Sequence, residues 1–400
     1  MKVDVESSGA AMLARLRNAI CTDSALAARL ATIADADVFV VVARVEALAL
    51  GIDLSQATIA AAAGPDPLGV KRFALPLPTQ DEWPASDWLP VAVVDGAAGP
   101  VVEWLHFAKR RLTDPFFEDA VRRARRVPLN RLCPVLTPLD RFAETMPTDA
   151  AFTPSGLVFH LSRCGSTLVA QMLAAVTGHI VASEPAPLDA IIQRASSGEA
   201  DARRDAVAQI RAMVSALLRD RHGDRQVGVV KLDCWHMLKW GVFAEAFPDV
   251  PFLFLYRDPV EVLVSHAKQP GSQMVPGLIP HLADDSDYAS DPAIFGARLL
   301  GRIADAATDA VRAGRAIALR YDSLPEAFFD RILPHFAIAA GDADCETMHW
   351  AGARNAKTPS TRFVDDRAAK QAEASPGLRA QAVAFLSSPV AWLDTARAVQ

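Results

Sequence analysis

Apolar positions change their spacing along the chain, and the change divides it. Over about residues 8–65 they recur at three and four, as at Met12, Leu13, Leu16, Ile20, Leu26 and Leu30. That period turns one stripe of a helix toward a core. Thr22-Asp23-Ser24 offers a helix start after Cys21. Val38 to Leu50 continues as an apolar helical stretch with Arg44 and Glu46 as its only charges, and Gly51 is a natural stop. Asp53-Leu54-Ser55 begins a further short helix before Gly64-Pro65-Asp66-Pro67 breaks the chain.

Residues 66–150 are less regular and rich in Pro and Trp, with Trp83, Trp88 and Trp104. A helix is expected over Pro100 to Arg111. Another is expected over Pro115 to Arg126, with Asp114 as its cap and Pro115 at its first position. The run Arg122-Arg123-Ala124-Arg125-Arg126 reads as a solvated helix end favoured by the helix dipole, with an anion or partner site as the alternative.

From about residue 151 short apolar runs alternate with helical patterns. Strands are expected at Leu157–Leu161, Ile180–Ala182, Val227–Leu232, Phe252–Tyr256 and Ala316–Tyr321. Helices are expected at Thr167–Val176, Ala206–Leu218 and Ile294–Arg312. Strands without polar alternation are covered on both faces, so the fold class is α/β, with a central parallel sheet between helices and a mainly helical N-terminal extension. The expected division is 1–65 helical, 66–150 connecting, and 151–400 an α/β domain. No internal repeat is visible.

Composition narrows the class. The 400 residues exceed one ordinary core, which stops growing near about 250–300 residues. Hydrophobic residues at 51% and charged residues at 22% exclude a mainly disordered chain. Cys21, Cys133, Cys164, Cys234 and Cys345 show no metal-ligand spacing and read as free thiols. A net charge of −6 argues against bulk nucleic-acid binding but leaves room for a local basic pocket. The start, MKVDVESSGA, lacks the apolar core of a secretory signal. Cys164 to Ser183 is uncharged over 20 residues, a membrane-spanning length. Its Ser166, Thr167, Gln171, Thr177, Gly178 and His179 make it a loop, a buried helix and a strand instead. A cytoplasmic protein without a membrane span is expected.

Two segments carry chemistry. In His160-Leu161-Ser162-Arg163-Cys164-Gly165-Ser166-Thr167-Leu168 a buried strand enters a tight turn and a helix begins at Ser166 or Thr167. Backbone N–H groups and the positive helix end then converge on one point, which suits a phosphate. Arg163 adds a charge, and Ser166 and Thr167 add hydroxyls. G-x-x-x-x-G-K-[ST] is absent, which counts against ordinary ATP chemistry. In Leu255-Tyr256-Arg257-Asp258-Pro259-Val260-Glu261, Asp258 fits an N-cap, Pro259 the first helical position and Glu261 the third. Capping leaves Arg257 at the strand end unexplained, and Ser265 eight residues on; together they suit a second phosphate.

Arg163-Cys164-Gly165-Ser166-Thr167-Leu168 resembles the 5′-phosphosulfate loop of the sulfotransferase family, with Arg as in its bacterial and tyrosylprotein branches. Arg257 with Ser265 is similar to the family's 3′-phosphate pair, Lys231 to its strand-end lysine, and Tyr321-Asp322-Ser323-Leu324 to its tyrosine-acid-x-Leu segment. The resemblance covers about residues 152–330 and weakens to about 370. It implies a P-loop-type domain that moves a sulfonate group from 3′-phosphoadenosine 5′-phosphosulfate to a hydroxyl or amine, without a metal. Charge on the departing phosphate oxygen would fall to Arg163, Lys231, Ser166 and the loop amides.

The acceptor needs a general base. Glu184, in Ala182-Ser183-Glu184-Pro185, resembles the glutamate of the tyrosylprotein and bacterial branches. Asp233 stands two residues past Lys231, where cytosolic members carry histidine. Glu184 is preferred and Asp233 stays open; His236 is a third option, and His160 is expected in the core. In Ala353 to Arg362, the basic flap of the family would correspond to Lys357, Ser360 and Arg362, and residues 365–375 suit a mobile lid. Acceptor pockets are expected from 184–200 and 268–292 with part of the N-terminal region, for a small-molecule, carbohydrate or peptide acceptor.

Residues 10–65 resemble the helical leader-like domain of nitrogen-fixation-associated proteins, through Leu13, Leu16, Asp23, Ala25, Leu26, Leu30, Phe39, Ala47, Gly51 and Ile52. That implies docking of a peptide or protein; a small helical packing domain is the competing reading. A P-loop kinase-like phosphotransferase and a non-catalytic peptide-binding protein remain as alternatives for the whole chain.

Overall fold

The computed structural model describes residues 2–66, 79–195, 200–283, 291–358, 360–361 and 366–397. They form two compact units, one of Met1–Arg111, Phe117–Phe152 and Ser215–Gly223, the other of Leu112–Phe116, Thr153–Val214 and Asp224–Gln400.

The first unit begins with the helices Lys2–Thr22, Ser24–Ala31, Ala36–Ala49 and Gln56–Ala63. Asp23 caps the second of them, accepting from the N–H groups of Ala25 and Leu26, and Ser55 caps the fourth. Gly51 has φ +68, which the left-handed stop requires. Leu16, Ile20, Leu26, Leu30, Phe39, Ala43 and Ile59 are buried. Cys21 and Cys133 meet at Sγ–Sγ 3.4 Å as free thiols.

The stretch expected as a helix from Pro100 to Arg111 is a strand instead. β1 (Trp88–Gly96) and β2 (Gly99–His106) form an antiparallel hairpin across Ala97-Ala98, and β3 (Val135–Pro138) pairs with β2. Val101 and Val102 are β-branched, and with Trp104 and Leu105 they pack well on a pleated sheet. Trp83 stacks on Phe142 at 4.8 Å and donates from Nε1 to the Phe142 carbonyl at 2.7 Å. The next helix runs Phe117–Arg125, so Pro115 lies before it rather than at its first position. In the basic run, Arg122 pairs with Asp119 at 3.0 Å, and Arg125 holds Glu103 with two hydrogen bonds.

The second unit is built on a five-stranded parallel sheet. Its strands are β4 (Gly156–His160), β5 (His179–Ser183), β6 (Val227–Lys231), β7 (Phe252–Tyr256) and β8 (Ala316–Arg320), in the order β5-β6-β4-β7-β8. β4 to β7 are buried along their whole lengths, as unbroken apolar runs require. Val158, Val229, Leu253 and Leu255 pack with Leu168, Val169, Met172 and Leu173 of the helix Ser166–Ala174. On alternate positions Phe159 meets Phe252 at 5.1 Å and Phe243 at 5.5 Å, so both faces are covered. The connections leave β4 toward β5 and β6 on one side and β7 and β8 lie on the other. β4 is therefore the switch point, where open α/β sheets leave a crevice past their C-terminal strand ends.

Candidate active site

Every strand of the parallel sheet delivers a polar residue to one cavity of about 640 Å³ past its C-terminal end. β4 ends in His160 and the turn 161–165; Glu184 follows β5, Asp233 follows β6, Arg257 follows β7 and Tyr321 follows β8. Arg163, Cys164, Gly165, Ser166, Thr167, Leu168, Ser265 and Lys357 also line it. Lys231 is wholly buried beside it.

The turn after β4 is conformationally unusual. Ser162 (φ 79), Arg163 (φ 53) and Gly165 (φ 87) are left-handed, and so is Glu184 (φ 53). Non-glycine residues in that region cost about 1–3 kcal/mol each and persist where surrounding structure over-determines them. Here the surroundings are specific. Ser162 donates its N–H to His160 Nδ1 at 3.1 Å, and its Oγ lies 3.1 Å from both His266 Nε2 and Gln273 Nε2. Leu161 donates its N–H to the Leu255 carbonyl at 2.9 Å, and Cys164 Sγ bonds the same oxygen at 3.1 Å. Burial pushes the Cys164 thiol up to about 11, so it serves as a donor to the neighbouring strand. Arg163 Nη2 bonds the Gln269 carbonyl at 2.7 Å. Gly165 is the N-cap of the helix Ser166–Ala174, and a Cβ there would stand 2.6 Å from Tyr321 Cδ2.

The expected N-cap at Asp258 forms: it accepts from the N–H groups of Val260 and Glu261, with Pro259 at the helix start. The Glu261 carboxylate is directed to Arg257, accepting from Nε at 2.5 Å. Arg257 Nη2 also bonds Asp366 Oδ1 at 2.8 Å, and the guanidinium lies 4.3 Å over the Tyr321 ring. Burial alone would lower Arg257, and the two carboxylates outweigh it, so its pKa is raised. Ser265 Oγ donates to the Glu261 carbonyl at 2.9 Å, one helical turn back toward the arginine. Tyr321 thus touches both signature segments, Gly165 on one side and Arg257 on the other.

Glu184 and Lys231 form the central ion pair, Nζ to Oε1. Ser183 and Lys231 are register partners of β5 and β6, and Glu184 donates its N–H to the Lys231 carbonyl at 2.7 Å. Lys231 Nζ also lies 5.2 Å from the Phe116 ring. Burial pushes the Glu184 carboxyl up, but Lys231 and then His160 outweigh it and hold it well below the usual carboxylate range. Asp233 goes the other way: burial, then the Glu184 and Asp189 charges, push it well above that range. Asp189 is the hub beside it, its Oδ1 accepting from Trp235 Nε1 at 2.7 Å, His236 Nε2 at 2.8 Å and Gln193 Nε2 at 3.1 Å. Ligand atoms of Asp189, Asp233 and His236 lie within 4.8 Å of one another, with the Asp189–His236 contact already a hydrogen bond.

Lys357 reaches the same cavity, 6.0 Å from the Phe116 ring. Burial of its ammonium and then the Arg163 charge lower it to about 8, although the residue as a whole is exposed. Ser360 is exposed, and Arg362 lies outside the described residues. So do parts of the expected acceptor loops, at 196–199 and 284–290.

Several lining residues, among them His160, Asp366, Lys370 and Phe116, did not stand out as site residues in the sequence. His160 is buried as expected, yet its Nε2 approaches Glu184 Oε1 to 3.4 Å. Asp366 and Lys370 belong to a segment expected as a lid; Asp366 opens the helix Arg367–Glu373 and bonds both Arg257 and Lys370, the latter at 2.7 Å. Phe116 gave no signal beyond its place near Pro115.

No family model matches the chain, and no curated protein matches its sequence. Among solved structures, a sulfotransferase from Alicyclobacillus acidocaldarius is similar at 16% identity and a TM-score of 0.34, covering 62% of this chain and 96% of that one. A sulfotransferase from Mycobacterium avium is similar at 12% identity and a TM-score of 0.37, covering 62% and 78%. The sulfotransferase domain of the Synechococcus PCC 7002 olefin synthase is similar at 14% identity and a TM-score of 0.34, covering 62% and 96%. Likenesses of that size assign no activity to this chain. Among the described residues no helix is long and apolar enough to cross a membrane.

Proposed function

We propose that this chain transfers a sulfonate group from 3′-phosphoadenosine 5′-phosphosulfate to an acceptor hydroxyl or amine. One observation carries the reading. A left-handed anion-type turn with Arg163, Glu184 on its buried partner Lys231, and the Arg257–Ser265 pair all border one cavity, and Tyr321 lies between the first and the last. A doubly anionic nucleotide needs two cationic poles of this kind, and Lys357 and Lys370 add to them.

The donor supplies an activated sulfonyl group. In the transfer the acceptor oxygen or nitrogen bonds to sulfur as the bond from sulfur to the 5′-phosphate oxygen breaks. The electron pair stays on that phosphate oxygen, and the acceptor proton passes to the base. In this scheme Arg163, Lys231, Ser166 and the N–H groups of the turn meet the charge on the phosphate. Glu184 fits the base better than Asp233, because the Lys231 charge and the His160 hydrogen bond favour its carboxylate form while burial and like charges push Asp233 well above the usual carboxylate range. Lys231 has two roles in this scheme: it holds Glu184 in the free protein and turns to the phosphate when the nucleotide is bound.

Calorimetric titration with adenosine 3′,5′-bisphosphate tests the reading. Micromolar binding without magnesium is expected. Undetectable binding at millimolar nucleotide would sink the reading, and binding of ATP only with magnesium would replace it with a phosphotransferase.

A further inference from the structure

His160 carries a hydrogen-bond pattern that fixes its chemical state. Its Nδ1 accepts the backbone N–H of Ser162 at 3.1 Å, so Nδ1 has no proton of its own. The ring proton is therefore on Nε2. That N–H faces two acceptors, the Leu232 carbonyl at 2.9 Å and Glu184 Oε1 at 3.4 Å. One imidazole thus spans three strand ends: the turn after β4, the acid after β5 and the backbone after β6. Both residues it meets through side chain or N–H outside β6, Ser162 and Glu184, are left-handed.

We propose that His160 is a positioning residue, a neutral Nε2–H imidazole that ties the anion-binding turn to the Glu184 carboxylate. The role in turnover rests on the sulfonate-transfer reading; the tie itself rests on the hydrogen bonds. When Lys231 turns from Glu184 toward a bound phosphate, the His160 N–H remains as a donor on the carboxylate and keeps it aimed. Glu184 is also faced by Lys231 from β6, Arg163 from the turn, Lys357 from the C-terminal segment and Asp233 beyond β6. Only His160 among these bonds the turn's backbone as well.

Two substitutions separate the two halves of the tie. His160→Asn keeps an acceptor near the Nδ1 position for the Ser162 N–H and loses the reach to Glu184. His160→Gln places an amide N–H near the Nε2 position. Adenosine 3′,5′-bisphosphate binding is read by calorimetry, and sulfate release from 3′-phosphoadenosine 5′-phosphosulfate is read with water as the acceptor. Expected for His160→Asn are affinity within about three-fold of wild type, sulfate release at least ten-fold slower, and an acid limb of the pH–rate profile moved to higher pH. His160→Gln is expected to recover part of the rate. An unchanged rate and profile in His160→Asn would overturn the inference, and so would equal losses of binding in both variants. A wild-type protein that binds no bisphosphate would sink the transfer reading alone. The tie is then decided in wild type by nitrogen-15 NMR of the His160 ring: Nε2–H and neutral from pH 6 to 8 supports it, Nδ1–H or a charged ring overturns it. The same spectrum decides if a variant fails to fold.

Discussion

Glu184 and Lys231 are joined twice: carboxylate to ammonium through their side chains, and N–H to carbonyl through their backbones at 2.7 Å. The second bond continues the β5–β6 ladder by one residue past Ser183. The acid is thereby fixed to the lysine by sheet register, while its left-handed backbone swings the side chain over the cavity. Breaking a buried pair from one side leaves the other charge uncompensated.

Replacing Glu184 with Gln keeps a polar group beside Lys231 and removes the base. Transfer is expected to fall by about 100-fold or more, with bisphosphate affinity retained. Sulfate release and calorimetry on the same preparation check both halves. Full activity would pass the base role to Asp233.

Arg257→Ala removes a charge that is already held by Glu261 and Asp366. A charge-assisted contact is worth about 1.5–3 kcal/mol, so bisphosphate should bind roughly ten- to a hundred-fold more weakly by titration. Equal affinity would take Arg257 out of the site.

Asp366 is expected to act in the opposite sense. Burial would raise its carboxyl, but Lys370 and Arg257 outweigh that and hold it below the usual range. It therefore stands as an anion on the cations that a phosphate would use. Asp366→Asn should tighten bisphosphate binding several-fold; weaker binding would show that the carboxylate helps to build the pocket.

Gly165→Ala combines a left-handed φ with a Cβ 2.6 Å from the Tyr321 ring. A loss of about 1–3 kcal/mol is expected from the backbone alone, and a fall of several degrees in Tm by calorimetric melting. Bisphosphate affinity should fall with it, since Tyr321 also carries Arg257.

Lys357 gives a pH signature. Its ammonium is lowered to about 8, so above that pH the free protein holds it neutral. A bound anion favours the charged form and raises the pKa again. Binding near pH 8–9 should then take up a proton, and affinity should decline as pH rises past about 8. Titration in buffers of different ionisation enthalpy measures the uptake; Lys357→Met should abolish it.

The parallel sheet was legible because runs such as Phe252–Tyr256 have no polar face to hide, and the helix start at Asp258 carries its own capping chemistry. The hairpin was not, because its turn is Ala97-Ala98 without the Asn-Gly or Asp-Gly at the centre that marks such turns, and Glu103 between valine and tryptophan imitates a helical period. At the site, Arg257 stood out because capping left it unexplained, and Arg163 because it adds charge to a turn whose N–H groups converge. His160 did not, because a histidine in an apolar run looks like core until the partner on the next strand end is placed. Asp366 lies 109 residues from Arg257, and no local pattern reports a contact of that separation.

The left-handed backbone at Ser162, Arg163 and Glu184 has a consequence for engineering. At Glu184 glycine would relieve the backbone but strand the Lys231 charge, and at Ser162 it would remove the hydroxyl between His266 and Gln273. Arg163 has no such tie to the core, so selection for thermal tolerance alone would favour glycine there, where that conformation carries no steric penalty. A stability-driven library should therefore drift at Arg163 first and lose its guanidinium from the cavity wall, and that position is the one to hold fixed when the scaffold is optimised.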